Sequence, residues 1–389
     1  MDDVTRQTID NGRWAMDDRR QATSVCFISL DAYPLFGRGE EGVQGGAEVD
    51  IYMLSTELAK DKEFKVSLIT GDYGQDPVER IEDVTIYKTT PPSCFRKKAG
   101  GATNPAAALS IWKAMGRANA DIYFKKGASS IAALVALYCR LHRRSLFLRT
   151  AHDIDCDGTY IRENWLRGRA FLWALKHARQ VFVQKESNRV SLKETTGVSA
   201  IVLPNGHRIL EPSTQKRGCI LWVGRSTYFK EPELFIKLAQ ETPGEQFVMV
   251  CQQAKDDNKY DDLLAGAKTV ANLTFIEGVP FHEIDSFFQR AKVLVNTSSM
   301  EGFPNTFIQA CKCAAPILSL KINPDRFLDK HQCGMCANGD WQRFKEMLAE
   351  LLEPQAAKQY GNNGRIYAEE NHDIKKIIEQ YKRLFRTLT

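Results

Sequence analysis

The residues most able to do chemistry lie in Glu301-Gly302-Phe303-Pro304-Asn305-Thr306-Phe307-Ile308-Gln309, just after the apolar run at 293–295. This order predicts a strand, a turn through Gly302 and Pro304, and then a helix start, an arrangement that aims backbone N–H groups at an anion. Pro304 suits an early helical position, where its missing N–H would have no partner anyway. Glu301 and Gln309 are eight residues apart. That is roughly two helical turns, so both should face one ligand along the helix start. A carboxylate suits sugar hydroxyls and free N–H groups suit phosphate, which together point to a nucleotide-sugar. The same turn also occurs as plain scaffold in α/β proteins.

Three further loops follow apolar runs. In Trp222-Val223-Gly224-Arg225-Ser226-Thr227-Tyr228-Phe229-Lys230 two cations stand five residues apart at a strand end. They could neutralise a diphosphate leaving group; the alternative is surface charge. The stretch Gly37 to Glu48, with Gly45-Gly46 at its end, lets backbone approach phosphate ahead of a helix. A flexible connector would look the same, and there is no tight G-x-G-x-x-G fingerprint. His152, in Arg149-Thr150-Ala151-His152-Asp153, either meets a reacting group or holds the strand end. The run Asp153, Asp155, Asp157 is not a calcium loop, because its twelfth position is Asn164 and it follows a strand. Cys311 and Cys313 fall on a helix end, where positions i and i+2 point apart, so they and Cys333 and Cys336 are not read as a zinc set. No metal ligands are assigned.

These loops need a frame. At 389 residues the chain exceeds one ordinary core, so two domains are expected. Its 43% hydrophobic and 26% charged content suits a globular protein, and no apolar run reaches the length of a membrane span. The acidic start is not a signal peptide, and ten cysteines without framework spacing suit reduced thiols, so a cytoplasmic location is expected. Short β-rich runs alternate with amphipathic stretches from residue 24, pause at Pro204-Asn205-Gly206 and 211–217, and resume from 220. This alternation predicts parallel sheets with helices on both faces, and ligands at the carboxyl ends of the strands. Residues 90–190 hold about eighteen Lys/Arg against six Asp/Glu. Such a surface could meet anionic lipid or a phosphate-bearing substrate, or be merely solvated. It lacks the aromatic-interleaved modules of nucleic-acid binders, so no nucleic acid is expected.

Taken in order, six motifs resemble the retaining glycosyltransferases of family four with the GT-B fold. They are Gly45-Gly46-Ala47-Glu48, Thr150-Ala151-His152-Asp153, Val202-Leu203-Pro204-Asn205-Gly206, Val223-Gly224-Arg225 with Lys230, Ile276-Glu277-Gly278, and Glu301-Gly302-Phe303-Pro304-Asn305. The resemblance covers roughly residues 24–385. It implies an α/β fold of two doubly wound Rossmann-like domains facing a central cleft. The expected division is a disordered tail over 1–22, an acceptor-side domain over 23–205, a donor domain over 206–370, and a last helix over 371–389 returning to the first domain.

The resemblance also implies roles. Arg225 and Lys230 would bind the donor diphosphate, with Gly224 beside them. Backbone N–H groups at Phe303, Pro304 and Asn305, after Gly302, would contact phosphate or sugar. Glu301 would orient sugar hydroxyls, and His152 would lie beside the transferred sugar. Gly45 and Gly46 would close over phosphate, and Gly278 and Val279 would flank the base. Gln309 stands where the family usually has a glutamate that accepts from ribose hydroxyls. The loop before Gly45 departs from the family in being longer and more charged than a minimal Gly-Gly turn, and its Arg38, Glu40 and Glu41 would tune acceptor choice.

The implied function is metal-independent hexosyl transfer, with retention, from a UDP-, GDP- or other nucleoside diphosphate sugar to a hydroxyl of a glycan or lipid-linked acceptor. The setting would be polysaccharide or envelope-glycan biosynthesis of the bacterial type. The donor is a substrate, so no cofactor is implied. The basic segment suits peripheral contact with an anionic membrane at its inner face. The sequence leaves the oligomeric state open. Gln309 favours one alternative, a catalytically silent GT-B-like protein that binds a nucleotide-sugar for regulation.

Overall fold

A computed structural model describes residues 22–37, 45–95, 104–254 and 257–388. The tail expected over 1–22 falls outside the described residues except for residue 22. So do Arg38, Glu40, Glu41 and the Arg96-Lys97-Lys98 run.

The first sheet contains β1 (Thr23–Ile28), β2 (Phe64–Thr70), β3 (Val78–Ile81), β4 (Val84–Lys88), β5 (Ile122–Lys126), β6 (Ser145–Arg149), β7 (Gln180–Val183) and β8 (Ile201–Val202). Their order is β3-β4-β2-β1-β5-β6-β7-β8. All neighbours are parallel except β3 against β4. The second sheet contains β9 (Cys219–Arg225), β10 (Phe247–Gln252), β11 (Leu273–Ile276), β12 (Ala291–Asn296), β13 (Ile317–Ser319) and β14 (Gly334–Cys336). It runs β11-β10-β9-β12-β13-β14, all parallel.

Helices α1 (Gly46–Ala59), α2 (Pro105–Ala118), α3 (Ser130–His142), α4 (Thr159–Glu163), α5 (Trp165–His177) and α6 (Glu186–Thr196) belong to the first half. Helices α7 (Pro232–Glu241), α8 (Tyr260–Lys268), α9 (Ile284–Arg290), α10 (Asn305–Lys312), α11 (Phe327–His331), α12 (Trp341–Leu352) and α13 (Pro354–Asn371) follow, and α14 (Ile374–Leu388) ends the chain.

Each sheet is buried on both faces, which is why its strands read as continuous apolar runs rather than as alternation. One face of the first sheet packs Phe27, Phe124 and Phe182 against Leu54 of α1 and Ile377 and Tyr381 of α14. Its other face packs Tyr123 and Leu148 against Ile111, Val135 and Phe171 of α2, α3 and α5. The second sheet is covered likewise, by Phe235, Tyr260 and Phe344 on one face and by Phe288, Phe307 and Phe327 on the other.

Two strands escaped the sequence. Val78–Ile81 is a partly exposed antiparallel edge carrying Glu79 and Arg80, so it has no apolar run. Gly334–Cys336 is three buried residues, too short to carry a pattern.

The chain crosses between the sheets at two segments that lie side by side. His207 N–H donates to His372 O at 2.7 Å, and Ile374 N–H donates to His207 O at 2.9 Å. Both histidines are buried. His372 Nδ1 lies 2.7 Å from Asn205 O and its Nε2 3.3 Å from the Tyr367 hydroxyl. A carbonyl can only accept, so Nδ1 carries the proton and Nε2 accepts from Tyr367. Burial, then repulsion from Lys312 and His372, pushes His207 down to about 3, and burial pushes His372 down to about 4.

Both rings are therefore neutral in the folded state, whereas unfolded histidine titrates near 6.5. The folded state binds fewer protons below that value. The contribution of these rings is thus fully present above pH ~6.5 and is lost as pH falls toward the folded values. Unfolding free energy is expected to drop by about 1.4 kcal/mol per pH unit per histidine in this window. Denaturant titrations across it should show a slope that a His207→Asn variant lowers by about 1.4 kcal/mol per pH unit; an unchanged slope in that variant would refute the assignment.

Candidate functional site

The carboxyl ends of both sheets open onto one cavity of about 310 Å3. It is lined by His152, Arg225, Lys230, Glu301, Gly45, Gly46, Gly224, Gly278, Val279, Gly302, Phe303, Pro304, Asn305 and Gln309. These residues, to which the sequence assigns catalytic or donor roles, therefore border the same space, although their positions span residues 45 to 309.

Two helix starts converge there. Helix α1 begins at Gly46 and α10 at Asn305, so each points its first N–H groups, which lack intrahelical acceptors, toward the cavity. The expected donors at Phe303 and Pro304 need correction. Phe303 N–H donates to Gln184 Oε1 at 3.2 Å, and a proline has no N–H. The donors at this end belong to Asn305 and Thr306, the first residues of the helix. The eight-residue spacing is also not two helical turns. Glu301 precedes α10, Pro304 is its N-cap, and only Asn305 onward is helical. Glu301 and Gln309 still face one cavity because the turn folds back over the helix start. A glycine is required in that turn: a β-carbon on Gly302 would lie 2.9 Å from Ala151 O.

Glu301 is fixed rather than free. Its Oε1 receives both Lys230 Nζ and the Ser298 hydroxyl, the latter at 2.9 Å. Its Oε2 has no recorded partner among the described residues. Lys230 is carried on a short turn pinned to the β12 end, where Thr297 Oγ1 donates to Lys230 O at 2.7 Å and Trp222 Nε1 donates to Thr297 Oγ1 at 3.0 Å. An ammonium has three donors, so Lys230 can hold Glu301 and still reach an anion. Arg225 extends from the last position of β9 across the cleft, and a β-carbon on Gly45 would lie 3.6 Å from its Nη2. No ion-pair partner of Arg225 occurs among the described residues.

The loop presenting His152 is built by Asp153, Asp155 and Asp157. Asp155 Oδ2 accepts from Ala151 N–H at 2.8 Å and from His152 N–H at 3.3 Å. Asp153 pairs with Lys185 at 2.8 Å, and Asp157 accepts from Thr159 N–H at 2.8 Å. Burial raises the Asp155 carboxyl above its ordinary value. The ten cysteines are free thiols, nine of them buried.

Asn305 does more than line the wall. Its Nδ2 donates to Gly46 O at 2.9 Å, and its Oδ1 accepts from Asn205 Nδ2 at 2.7 Å, so one amide ties the second sheet to the first across the cleft. Behind it lies a buried polar cluster. Asn205 Oδ1 accepts from Arg149 Nη2 at 2.7 Å, and Arg149 Nη1 donates to the Tyr381 hydroxyl. Lys126 Nζ lies 2.8 Å from Asp50 Oδ2. Arg149 Nε lies 3.1 Å from the same oxygen, an ion-pair contact without hydrogen-bond geometry.

Lys126, Gln184 and Asn205 line the cavity but carry no assignment from the sequence. Each sits at or just beyond the carboxyl end of a parallel strand (β5, β7 and β8), and that position was the available signal.

The comparisons with known proteins bear on both sheets. Residues 44–208 match the family model described as Glycosyltransferase Family 4, and residues 208–367 match that of Glycosyl transferases group 1. A trehalose synthase from Pyrococcus horikoshii is 23% identical over 164 residues, 40% of this chain and 40% of that protein. The match thus spans well under half of the curated relative's length.

Among solved structures, a sucrose-phosphate synthase from Thermosynechococcus elongatus superposes with a TM-score of 0.78 at 16% identity, covering 94% of this chain and 99% of that one. A variant of S. aureus TarM, in complex with fondaparinux, α-GlcNAc-glycerol and UDP, gives 0.71 at 10% identity over 93% and 99%. These likenesses establish the fold. With two adjoining family matches, one on each side of the crossing at residue 208, the chain belongs to the glycosyltransferases of family-four type with the GT-B fold.

Proposed function

We propose that the chain transfers a hexosyl unit, with retention and without a metal, from a nucleoside diphosphate sugar to a hydroxyl of a glycan or lipid-linked acceptor. The observation that carries this reading is the convergence of two helix starts with Arg225 and Lys230 on one cavity. Two cations and two sets of N–H groups meet the charge that develops on a departing diphosphate, a role a metal ion plays in other sites. UDP is one candidate leaving group, since the S. aureus neighbour holds it; GDP is another.

In the proposed step the acceptor oxygen bonds to the anomeric carbon on the face from which the diphosphate leaves. The bond from that carbon to the phosphate oxygen breaks, and a phosphate oxygen takes the acceptor's proton. Glu301 Oε2 would accept from a hydroxyl of the transferred sugar, and His152 would border that sugar. Gly224, Gly278, Val279 and Gly302 would shape the walls against base and diphosphate. Polysaccharide or envelope-glycan assembly at the inner face of a membrane, from the cytoplasmic side, is the proposed setting. No helix among the described residues is long and apolar enough to cross a membrane.

A thermal-shift screen across UDP-, GDP-, ADP- and TDP-sugars tests the reading. A donor at about a hundred times its Kd should stabilise the folded chain by about 2.7 kcal/mol. No shift with any of them would refute donor binding. Gln309 favours the silent-binder alternative, and product analysis separates the two, because a silent protein is stabilised by donor yet releases neither free sugar nor glycoside.

Gln309 itself gives a prediction. It is 6% exposed and lines the cavity from α10. Gln309→Glu would replace a neutral acceptor with a charged one, and hydrogen bonds to charged acceptors are stronger. Donor Kd, read by calorimetry, is expected to stay equal or tighten by up to about tenfold. A loss of donor binding by the folded variant would place the ribose elsewhere.

A further inference from the structure

The face of the first sheet opposite α1 and α14 is covered by α2, α3 and α5, and its outer surface is unusual in both polarity and charge. Among the described residues, half of the strongly exposed large hydrophobic side chains lie on these three helices. Leu141, Trp165 and Leu166 are 63%, 65% and 70% exposed. The same three helices enclose an apolar groove of about 490 Å3 whose walls include Ile111, Leu134, Leu137 and Trp173. The spacing makes the stripe continuous: Leu134, Leu137 and Leu141 share one side of α3, and Leu166, Ala170 and Trp173 share one side of α5.

The same helices carry Lys113, Arg117, Arg140, Arg167, Arg169 and Lys176 and not one Asp or Glu. Arg169 lies over the Trp165 ring at 5.2 Å, and the Trp173 ring stacks on that of His177 at 4.3 Å.

We propose that this face docks on an anionic lipid bilayer, with Trp165 and Leu166 entering the interface and the basic side chains at headgroup level. The proposal rests on the lipid-linked-acceptor reading above and assigns it a surface. Amphipathic aromatic and leucine side chains beside Lys and Arg are what an anionic interface selects. A second copy using the same face would set these cations against one another, because a two-fold contact is self-complementary. An open apolar groove is of no use against a nucleic-acid backbone.

The topology also orients the site. Helix α5 ends at His177 and β7 starts at Gln180, so the other end of α5, with Trp165 and Leu166, stands at the carboxyl edge of the sheet, the edge on which the cavity opens. A docked enzyme would thus hold its cleft beside the membrane from which a lipid-linked acceptor rises.

The test is flotation of the full chain with phosphatidylcholine vesicles and with the same vesicles containing about one-third phosphatidylglycerol. Two double variants, Trp165→Ser with Leu166→Ser and Arg169→Glu with Lys176→Glu, are compared with the unmodified chain. All four side chains are exposed, and folding is checked by thermal melting without ligand. The unmodified chain should float with the anionic vesicles only and release at high salt. Each double variant should bind at least about tenfold more weakly.

Absence of anionic-vesicle binding by the folded chain, or binding indifferent to both double variants, would overturn the proposal. So would self-association, seen by light scattering, that the Trp165 and Leu166 changes abolish, since the face would then be a contact between copies. Vesicle binding without donor stabilisation would leave the surface standing and sink the transfer reading. Donor turnover without vesicle binding would do the reverse.

Discussion

Replacing Lys230 with alanine is expected to lower kcat/KM for sugar transfer by about a hundred- to a thousandfold, the usual cost of losing one group that stabilises charge in the transition state. In the proposed reaction the diphosphate gains charge as the glycosidic bond breaks, so the loss should fall on kcat more than on KM. The structure adds a second reason for a large effect. Lys230 holds Glu301 Oε1 together with the Ser298 hydroxyl. Without the ammonium, that carboxylate keeps one partner and can turn away from the sugar. Lys230→Arg separates the two contributions: a retained cation with misplaced Glu301 should recover part of kcat. Steady-state kinetics with a donor found in the thermal screen provides the measurement. Near-normal transfer by Lys230→Ala would remove Lys230 from the mechanism.

Asp50→Asn should cost about 3–5 kcal/mol of stability, the penalty for stranding buried charge when one partner is removed. Arg149 and Asp50 have side chains 0% and 1% exposed, and Lys126 completes the cluster. Burial alone would raise the Asp50 carboxyl, but Arg149 and Lys126 beside it hold it below the ordinary carboxylate range. Taking that charge away leaves two cations in an interior that already disfavours Lys126 as an ammonium. The damage should also reach the cleft, because Arg149 positions Asn205 and Asn205 holds Asn305. Urea denaturation measures the first effect, and donor Kd measured well below the transition measures the second. A loss under about 1 kcal/mol would mean that water reaches the cluster and screens it.

The strand–helix alternation was legible because parallel sheets bury both faces and therefore write their strands as apolar runs. Ala291–Asn296, for example, stands out as such a run, whereas the exposed edge Val78–Ile81 does not. The glycine, cation and acid motifs were legible for a related reason. They sit immediately after those runs, where the fold places its loops at one edge. What the motifs could not convey was the use of each atom. The Phe303 N–H was assigned to a ligand, but Gln184, from the other sheet and 119 positions away, takes it. The acids after His152 had a metal-like spacing, yet two of them brace backbone N–H groups and the third pairs with Lys185. Asn305 was assigned to a donor, and its amide also clasps Gly46 and Asn205.

By itself, then, the sequence determined the two-sheet α/β frame, the loops that border the cleft and the family to which the chain belongs. These follow from local patterns, namely apolar periodicity, glycine and proline at turns, and charges at fixed offsets. The tertiary structure alone decided which donors remain for a ligand, that Glu301 is held by Lys230, that Asp50, Lys126 and Arg149 meet beneath the cleft, and that the acid-free helices α2, α3 and α5 share one exposed face. Each of these is a pairing between residues far apart in the chain. Such pairings depend on how the sheets and helices pack, and no local pattern encodes them.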